Sequence, residues 1–228
     1  MSQETILILG ATRGLGKAIA TEFNLRDAQN IEIGSSTLDN VSKNRVFMQC
    51  DLSNINSVHD FLNRLKRKDG ELYKVNRFFW VAGRLFKGDL GNQTTDDILE
   101  TIDVNFRNPS LIAKVLWEEL VKKDGSFTVI SSSSGTTPRA DEAVYTATKH
   151  AQVGFTRSLG LEAQRLGSNL KVSLFLPGGM KTPFWDKNPV TGFDQFLDPT
   201  KVAEVIVDRV VNQKEPYLEL AIPRGSLG

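Results

Sequence analysis

A short apolar run, Ile6 to Leu9, breaks into Gly10-Ala-Thr-Arg-Gly14-Leu-Gly16, and the chain continues from Lys17 to Leu25 with Ala18, Ile19, Ala20 and Phe23 as its apolar positions. Strand, glycine turn and helix in this order constrain the fold more than any other stretch. Such a turn brings backbone close to a pyrophosphate and aims the helix N-terminus, with its free N–H groups and positive dipole end, at the phosphates. A Cβ would obstruct that approach, which is the reason for glycine. Counting separates the turn from two other phosphate motifs. A P-loop has four residues between its first glycine and a Gly-Lys pair followed by Ser or Thr, whereas here five residues separate Gly10 from Gly16 and Ala18 follows Lys17. The order G-x-x-x-G-x-G also differs from G-x-G-x-x-G.

The rest of the chain alternates. Apolar stretches at 31–34, 45–49, 77–82, 127–132, 170–177 and 217–222 predict strands, and helical periods at 55–66, 98–122, 143–166 and 199–213 lie between them. Alternation of this kind predicts an α/β fold, a doubly wound parallel sheet of Rossmann type with helices on both faces, in three layers. A chain of 228 residues makes one such domain, 1–228, and leaves little room for a second.

Tyr145 and Lys149 are four residues apart, shortly after the run Ser131 to Ser134. On a helix that spacing puts both on one face, with Cβ atoms ~6 Å apart. The stretch 126–132 reads as a buried strand, which places Ser132 at its carboxyl end, where an open parallel sheet has its ligand crevice. Gly135 to Pro138 reads as a loop, and the helix carrying Tyr145 is expected to start near Asp141. Half-ionising a tyrosine near neutrality takes ~3 pH units, or about 4 kcal/mol. An exposed ion pair supplies at most ~1 kcal/mol. A Tyr-Lys pair doing acid/base work therefore needs a partly dehydrated cleft. Taken alone, Tyr-x-x-x-Lys is more often two surface residues.

The glycine order together with Ser132, Tyr145 and Lys149 resembles the short-chain dehydrogenase/reductase family in its compact, non-extended form. The resemblance runs over nearly the whole chain: Gly10, Gly14 and Gly16; the acid in Cys50-Asp51-Leu52; Ala82-Gly83; Asn105; the Ser, Tyr and Lys; and Pro177-Gly178 with Thr182. Two positions depart from the family pattern. Leu9 stands for a threonine before the first glycine, and Trp80-Val81 for two asparagines before Ala82. Those polar residues tie neighbouring strands, so local stabilisation is what their replacement calls into question.

The resemblance implies hydride transfer between a nicotinamide and a carbonyl or alcohol carbon. In that scheme Tyr145 is the general acid/base, Lys149 lowers its pKa and bonds the nicotinamide ribose, and Ser132 donates to the substrate oxygen. Asn105 matches a residue that holds a water linking the lysine to solvent; a buried helix Asn bonded to backbone is the other reading. Cofactor contacts are implied for Gly10, Thr12, Arg13, Gly14, Leu15 and Gly16; for Asp51 and Leu52 at the adenine, with Asp51 alternatively a helix cap; for Ala82 and Gly83 beside the ribose; and for Pro177, Gly178, Met180 and Thr182 at the carboxamide. NADP(H) is expected over NAD(H), because Gly34-Ser35-Ser36-Thr37 puts neutral donors where an NAD enzyme has an acid, and Arg13 can fork onto a 2′-phosphate. Glu32 or Asp39 would take the acid role if the strand shifts by a residue or two.

A segment at about 179–197, with Met180, Phe184, Trp185, Phe193 and Phe196, is expected to cover an apolar or aromatic carbonyl or alcohol substrate. Arg84 and Arg139 are weaker candidates for an acidic group. A homodimer or homotetramer is expected by family analogy, with Leu116, Trp117, Leu120, Phe155, Leu159 and Leu161 as apolar surface. A net charge of +1 argues against nucleic acid, and the cluster Arg64, Lys66, Arg67, Lys68 and Asp69 reads as a solvated helix end. One cysteine, Cys50, excludes an internal disulfide. His59 and His150 have no partners at ligand spacing, so no metal is expected. There is no apolar stretch of the ~18 residues that span a bilayer, and a cytoplasmic protein is expected. The competing function is a dinucleotide-binding sensor or scaffold without turnover.

Overall fold

The computed structural model describes residues 4–26, 29–34, 45–65, 74–186, 188 and 190–227. Seven parallel strands form one sheet: β1 (Thr5–Leu9), β2 (Gln29–Gly34), β3 (Arg45–Gln49), β4 (Arg77–Trp80), β5 (Ser126–Ile130), β6 (Lys171–Pro177) and β7 (Tyr217–Ile222), in the order β3-β2-β1-β4-β5-β6-β7. The connections run outward in both directions from β1 and β4, so the order reverses there and a crevice opens at the carboxyl ends of those strands.

Both faces are covered, which is why β1 is apolar at every position from Ile6 to Leu9 and not alternating. Leu7 and Leu9 face one core, with α2 (Ile55–Arg64), α4 (Asn108–Lys122) and α5 (Ala143–Arg165). Ile6 and Ile8 face the other, with α1 (Gly14–Asn24) and α6 (Pro199–Val211).

The helix expected over 98–122 is not continuous. It begins as α3 (Thr95–Ile102), held by a capping box between Thr94 and Asp97, widens into a π-turn over Asp103–Arg107, and resumes as α4 at Asn108-Pro109. Strand β5 ends two residues before Ser132, which instead opens a 3₁₀ turn over Ser133–Gly135. Helix α5 starts at Ala143, behind Asp141, whose φ of 60° is left-handed.

The two departures from the family pattern are compensated. The Leu9 carbonyl accepts from Val81 N at 3.0 Å and from Ala82 N at 2.8 Å, so main chain splices β1 to the end of β4. Trp80 is fully buried against Phe106 and Phe155, with ring centroids 6.2 and 6.0 Å away.

Most of the expected apolar surface for assembly is spent inside the chain. Leu116, Leu120 and Leu159 are buried, Trp117 packs on Phe127, and Phe155 joins the Trp80 cluster, leaving Leu161 exposed. Of the basic cluster, Arg64 reaches the Gln49 carbonyl, and 66–69 lie outside the described residues. Cys50 is buried, and burial pushes its thiol up to about 12. Among the described residues no helix is long and apolar enough to cross a membrane, and no group of His, Cys, Asp and Glu could hold a metal.

Candidate active site

A cleft of about 760 Å³ opens at the carboxyl ends of the strands. It is lined by Gly10, Thr12, Arg13, Gly14, Leu15, Gly16, Asp51, Leu52, Ala82, Gly83, Ser132, Tyr145, Lys149, Pro177, Gly178, Met180 and Thr182, so the structure brings these candidates into one space. Ser35 and Ser36, with Thr37 and Asp39, lie outside the described residues. Asn105 stands behind the wall, fully buried.

The glycines have their own structural reasons. Gly10 has φ 97°, and a Cβ there would meet Ala82 N at 2.7 Å; a Cβ on Gly16 would collide with the Gly10 carbonyl oxygen. The turn is thus closed upon itself and upon β4, a tighter constraint than open space for a ligand. Helix α1 begins at this turn with no side-chain cap, whereas Asn54, Thr94 and Asp198 cap α2, α3 and α6. Uncapped N–H groups with a helix dipole behind them suit a phosphate. Opposite, a Cβ on Gly83 would stand only 3.5 Å from Lys149 Nζ, so glycine keeps the lysine tip approachable. These features fit a dinucleotide lying across the switch point.

Asp51 does not cap the next helix, since Asn54 does; its Oδ1 accepts from Ser53 N and Ser53 Oγ at 2.9 and 2.7 Å, a local turn that fixes the cleft wall. Met180, Phe184 and Trp185 line the cleft, and the Phe184 ring lies 6.0 Å from that of Tyr145. Phe196 instead packs under Gly179, where a Cβ would be 2.6 Å from its ring, with Phe193 behind it. Arg84 pairs with Glu100 at 2.6 Å.

Tyr145 and Ser132 both line the cleft, close enough for the hydroxyl to act on the phenol, and the Ser132 Oγ accepts from Ser134 N at 3.1 Å. Burial raises the Tyr145 phenol above its ordinary range; the Ser132 hydroxyl pulls it back, the Glu142 carboxylate raises it and the Arg139 guanidinium lowers it. Lys149 is 3 % exposed and has no carboxylate partner among the described residues; its Nζ donates to the Ile130 carbonyl at 3.2 Å and to Gln152 Oε1 at 3.0 Å. Burial lowers it to about 7. The expected acidification of Tyr145 by Lys149 is not what these side chains do as they stand. The Nζ is 5.7 Å from the ring centroid and only partly charged near neutrality, and Ser132 and Arg139 favour the phenolate instead.

Asn105 is a clamp. Its Oδ1 accepts from Arg84 N at 2.6 Å, and its Nδ2 donates to Arg84 O at 2.8 Å and to Thr148 Oγ1 at 3.0 Å. The Asn105 carbonyl accepts from Gln152 Nε2 at 2.8 Å, so Lys149, Gln152 and the π-turn form one chain of hydrogen bonds. Sequence reasoning missed Gln152 and Thr148, although a position three beyond Lys149 and one three beyond Tyr145 share that helical face.

The profile of the family described as short chain dehydrogenase matches residues 4–190, most of the chain. The chain belongs to the short chain dehydrogenase family. Its sequence is 27% identical over 225 residues to rat (Rattus norvegicus) 17-beta-hydroxysteroid dehydrogenase 13, covering 93% of this chain and 73% of the relative. Among solved structures, 4-hydroxyisoleucine dehydrogenase complexed with NADH superposes with a TM-score of 0.84 at 20% identity, covering 98% of each chain. ElxO with NADP bound superposes with a TM-score of 0.79 at 22% identity, covering 99% of each. The short chain dehydrogenase assignment, with a dehydrogenase relative, supports oxidoreductase activity.

Proposed function

We propose that this chain is an NADP-dependent oxidoreductase interconverting a carbonyl and an alcohol, with Ser132, Tyr145 and Lys149 as its catalytic residues. The observation that carries the reading is that Ser132, Tyr145 and Lys149 line the same cleft as the uncapped N-terminus of α1. When bound, the dinucleotide supplies or accepts the hydride. Tyr145 gives its phenolic proton to the substrate oxygen during reduction and takes it back during oxidation. A raised phenol is fully protonated at neutral pH, which suits reduction. Ser132 donates to the same oxygen as charge builds on it. Lys149 holds the ribose side of the nicotinamide and carries protons, poised by its value of about 7. Asn105 keeps the Arg84 backbone in place beside it.

Preference for NADP(H) over NAD(H) rests on Arg13, exposed at the turn and lining the cleft, and on the neutral residues after β2. The similar folds include one with NADP and one with NADH, and the charge of this chain is what supports the NADP(H) reading. The segment at about 179–197 covers the substrate, with Phe184 and Trp185 as an aromatic wall. The same reading makes the protein a cytoplasmic homo-oligomer, with the exposed Leu99, Ile102 and Leu111 of α3 and α4 as contact surface. Light scattering that finds only a species of 25.3 kDa at micromolar concentration would overturn that element.

Titration with NADPH and NADH, followed by a carbonyl panel read as loss of reduced-nicotinamide absorbance, tests the whole. Turnover with NADPH preferred is expected. Tight dinucleotide binding with no turnover on any carbonyl would make the chain a sensor or scaffold instead.

A further inference from the structure

Glu142 is a glutamate at the N-cap position of α5 whose side chain does not cap the helix. It is 8 % exposed, yet it lines the cleft. Its Oε2 accepts from Ser134 Oγ at 3.3 Å, while Oε1, bonded to no donor among the described residues, is not sealed off from the cleft and stays open to a partner there. A carboxylate oxygen on a cleft wall with lone pairs left over can accept a donor from whatever enters the cleft. The surroundings are built to hold it there. Asp141 sits in the left-handed region with its carbonyl taken by Gly88 N at 2.8 Å, and this turn directs residue 142 inward. Arg139 Nε donates to Ser134 Oγ at 3.2 Å, which orients the Ser134 proton toward Glu142, while its Nη2 donates to Ser133 Oγ at 3.2 Å. The other charged residues lining the cleft are Arg13, Asp51, Lys87, Lys149, Asp186, Arg224 and the Arg84–Glu100 pair. Glu142 lies three residues before Tyr145, on the face shared with the Ser132 hydroxyl.

Resting on the oxidoreductase reading, we propose that Glu142 determines substrate class: it accepts a hydrogen bond from a hydroxyl or ammonium group on the carbon next to the reacting carbonyl. Ser132 and Tyr145 serve the carbonyl oxygen, Phe184 and Trp185 the apolar remainder, and Glu142 the neighbouring donor. The substrate is thus a hydroxy or amino carbonyl compound, and a purely hydrocarbon ketone leaves the carboxylate stranded. Desolvating a charged acceptor without a partner costs enough to discriminate by roughly tenfold to a hundredfold.

The test is calorimetric titration of the full chain with 1,4,5,6-tetrahydro-NADP present, a dinucleotide that neither gives nor takes a hydride, using 2-hydroxyacetophenone, 2-aminoacetophenone and propiophenone. These ketones differ only in the group beside the carbonyl. The parent should bind the first two at least about tenfold tighter than the third. Glu142→Ala should bring all three within about twofold, and Glu142→Gln, which keeps an acceptor without the charge, should weaken the amino ketone more than the hydroxy ketone. Circular dichroism confirms that each variant is folded, and should one fail, the other decides. Equal affinities in the parent, no binding of either donor-bearing ketone, or a preference that survives in the folded variants would overturn the proposal. NADPH oxidation by the parent with the same ketones reads the redox proposal separately: no oxidation with any of them sinks that reading, while the binding ratio still decides this one.

Discussion

Two tyrosine–cation groups sit along α5, and they are built in opposite ways. At the surface, Arg157 forks onto Glu219 at 3.0 and 2.7 Å, and the Tyr217 hydroxyl donates to the same carboxylate at 2.7 Å. At the cleft, Tyr145 and Lys149 are buried, and the lysine meets only neutral acceptors. Burial raises both phenols, with Glu219 adding to the effect at Tyr217. The cations diverge: bonding to Glu219 raises Arg157, and burial lowers Lys149 to about 7. A paired, solvated charge is easily kept and does little, whereas a dry, unpaired one strains the fold. Its presence points to chemistry, as does the cleft-lining carboxylate three residues before Tyr145.

The sharpest way to break this contrast is to remove each phenol. On the proposed mechanism Tyr145→Phe lowers kcat by roughly 10²–10⁴-fold with dinucleotide affinity nearly intact, while Tyr217→Phe changes kcat by less than about twofold; comparable losses from both would erase the distinction. Next comes Ser132→Ala, expected to cost on the order of 10²-fold in kcat, with a rate near the parent's counting against a role for that hydroxyl.

The cations can be compared through pH. Lys149 has a folded value of about 7 against 10.5 unfolded, so between these the unfolded chain holds a proton that the folded chain lacks. The penalty of burying its charge is full below about 7 and fades as pH rises toward 10.5. Thermal melts of Lys149→Met and the parent should therefore shift in the variant's favour between pH 9 and pH 6, and a difference independent of pH would mean that the lysine is not destabilised by burial. The smallest effect belongs to the surface: Arg157→Gln should change stability by less than ~1 kcal/mol and leave turnover alone.

Much of this was legible in the sequence because period and spacing are local. The apolar runs located every strand, β3 and β7 to the residue, and the four-residue step placed Tyr145 and Lys149 on one face of α5. Three features were not legible, each set by contacts distant in sequence. A π-turn costs one residue of register and leaves no compositional trace, so 98–122 read as one helix. The burial that lowers Lys149 depends on packing against β5 and the π-turn. Glu142 carries no signal in the sequence, because the left-handed turn at Asp141 and the Ser134 hydroxyl are what hold it at the cleft.

The widened coil at Asp103–Arg107 also makes the protein sensitive to the length of its chain at one place. Deleting a single residue there would restore uniform winding and leave the flanking turns facing much as before, but residue 105, inside the widened turn, would change direction. The carboxamide that grips the Arg84 main chain and the carbonyl that receives Gln152 would then face elsewhere, so loss of one amino acid far from any reacting atom would unhook the lysine from its supports.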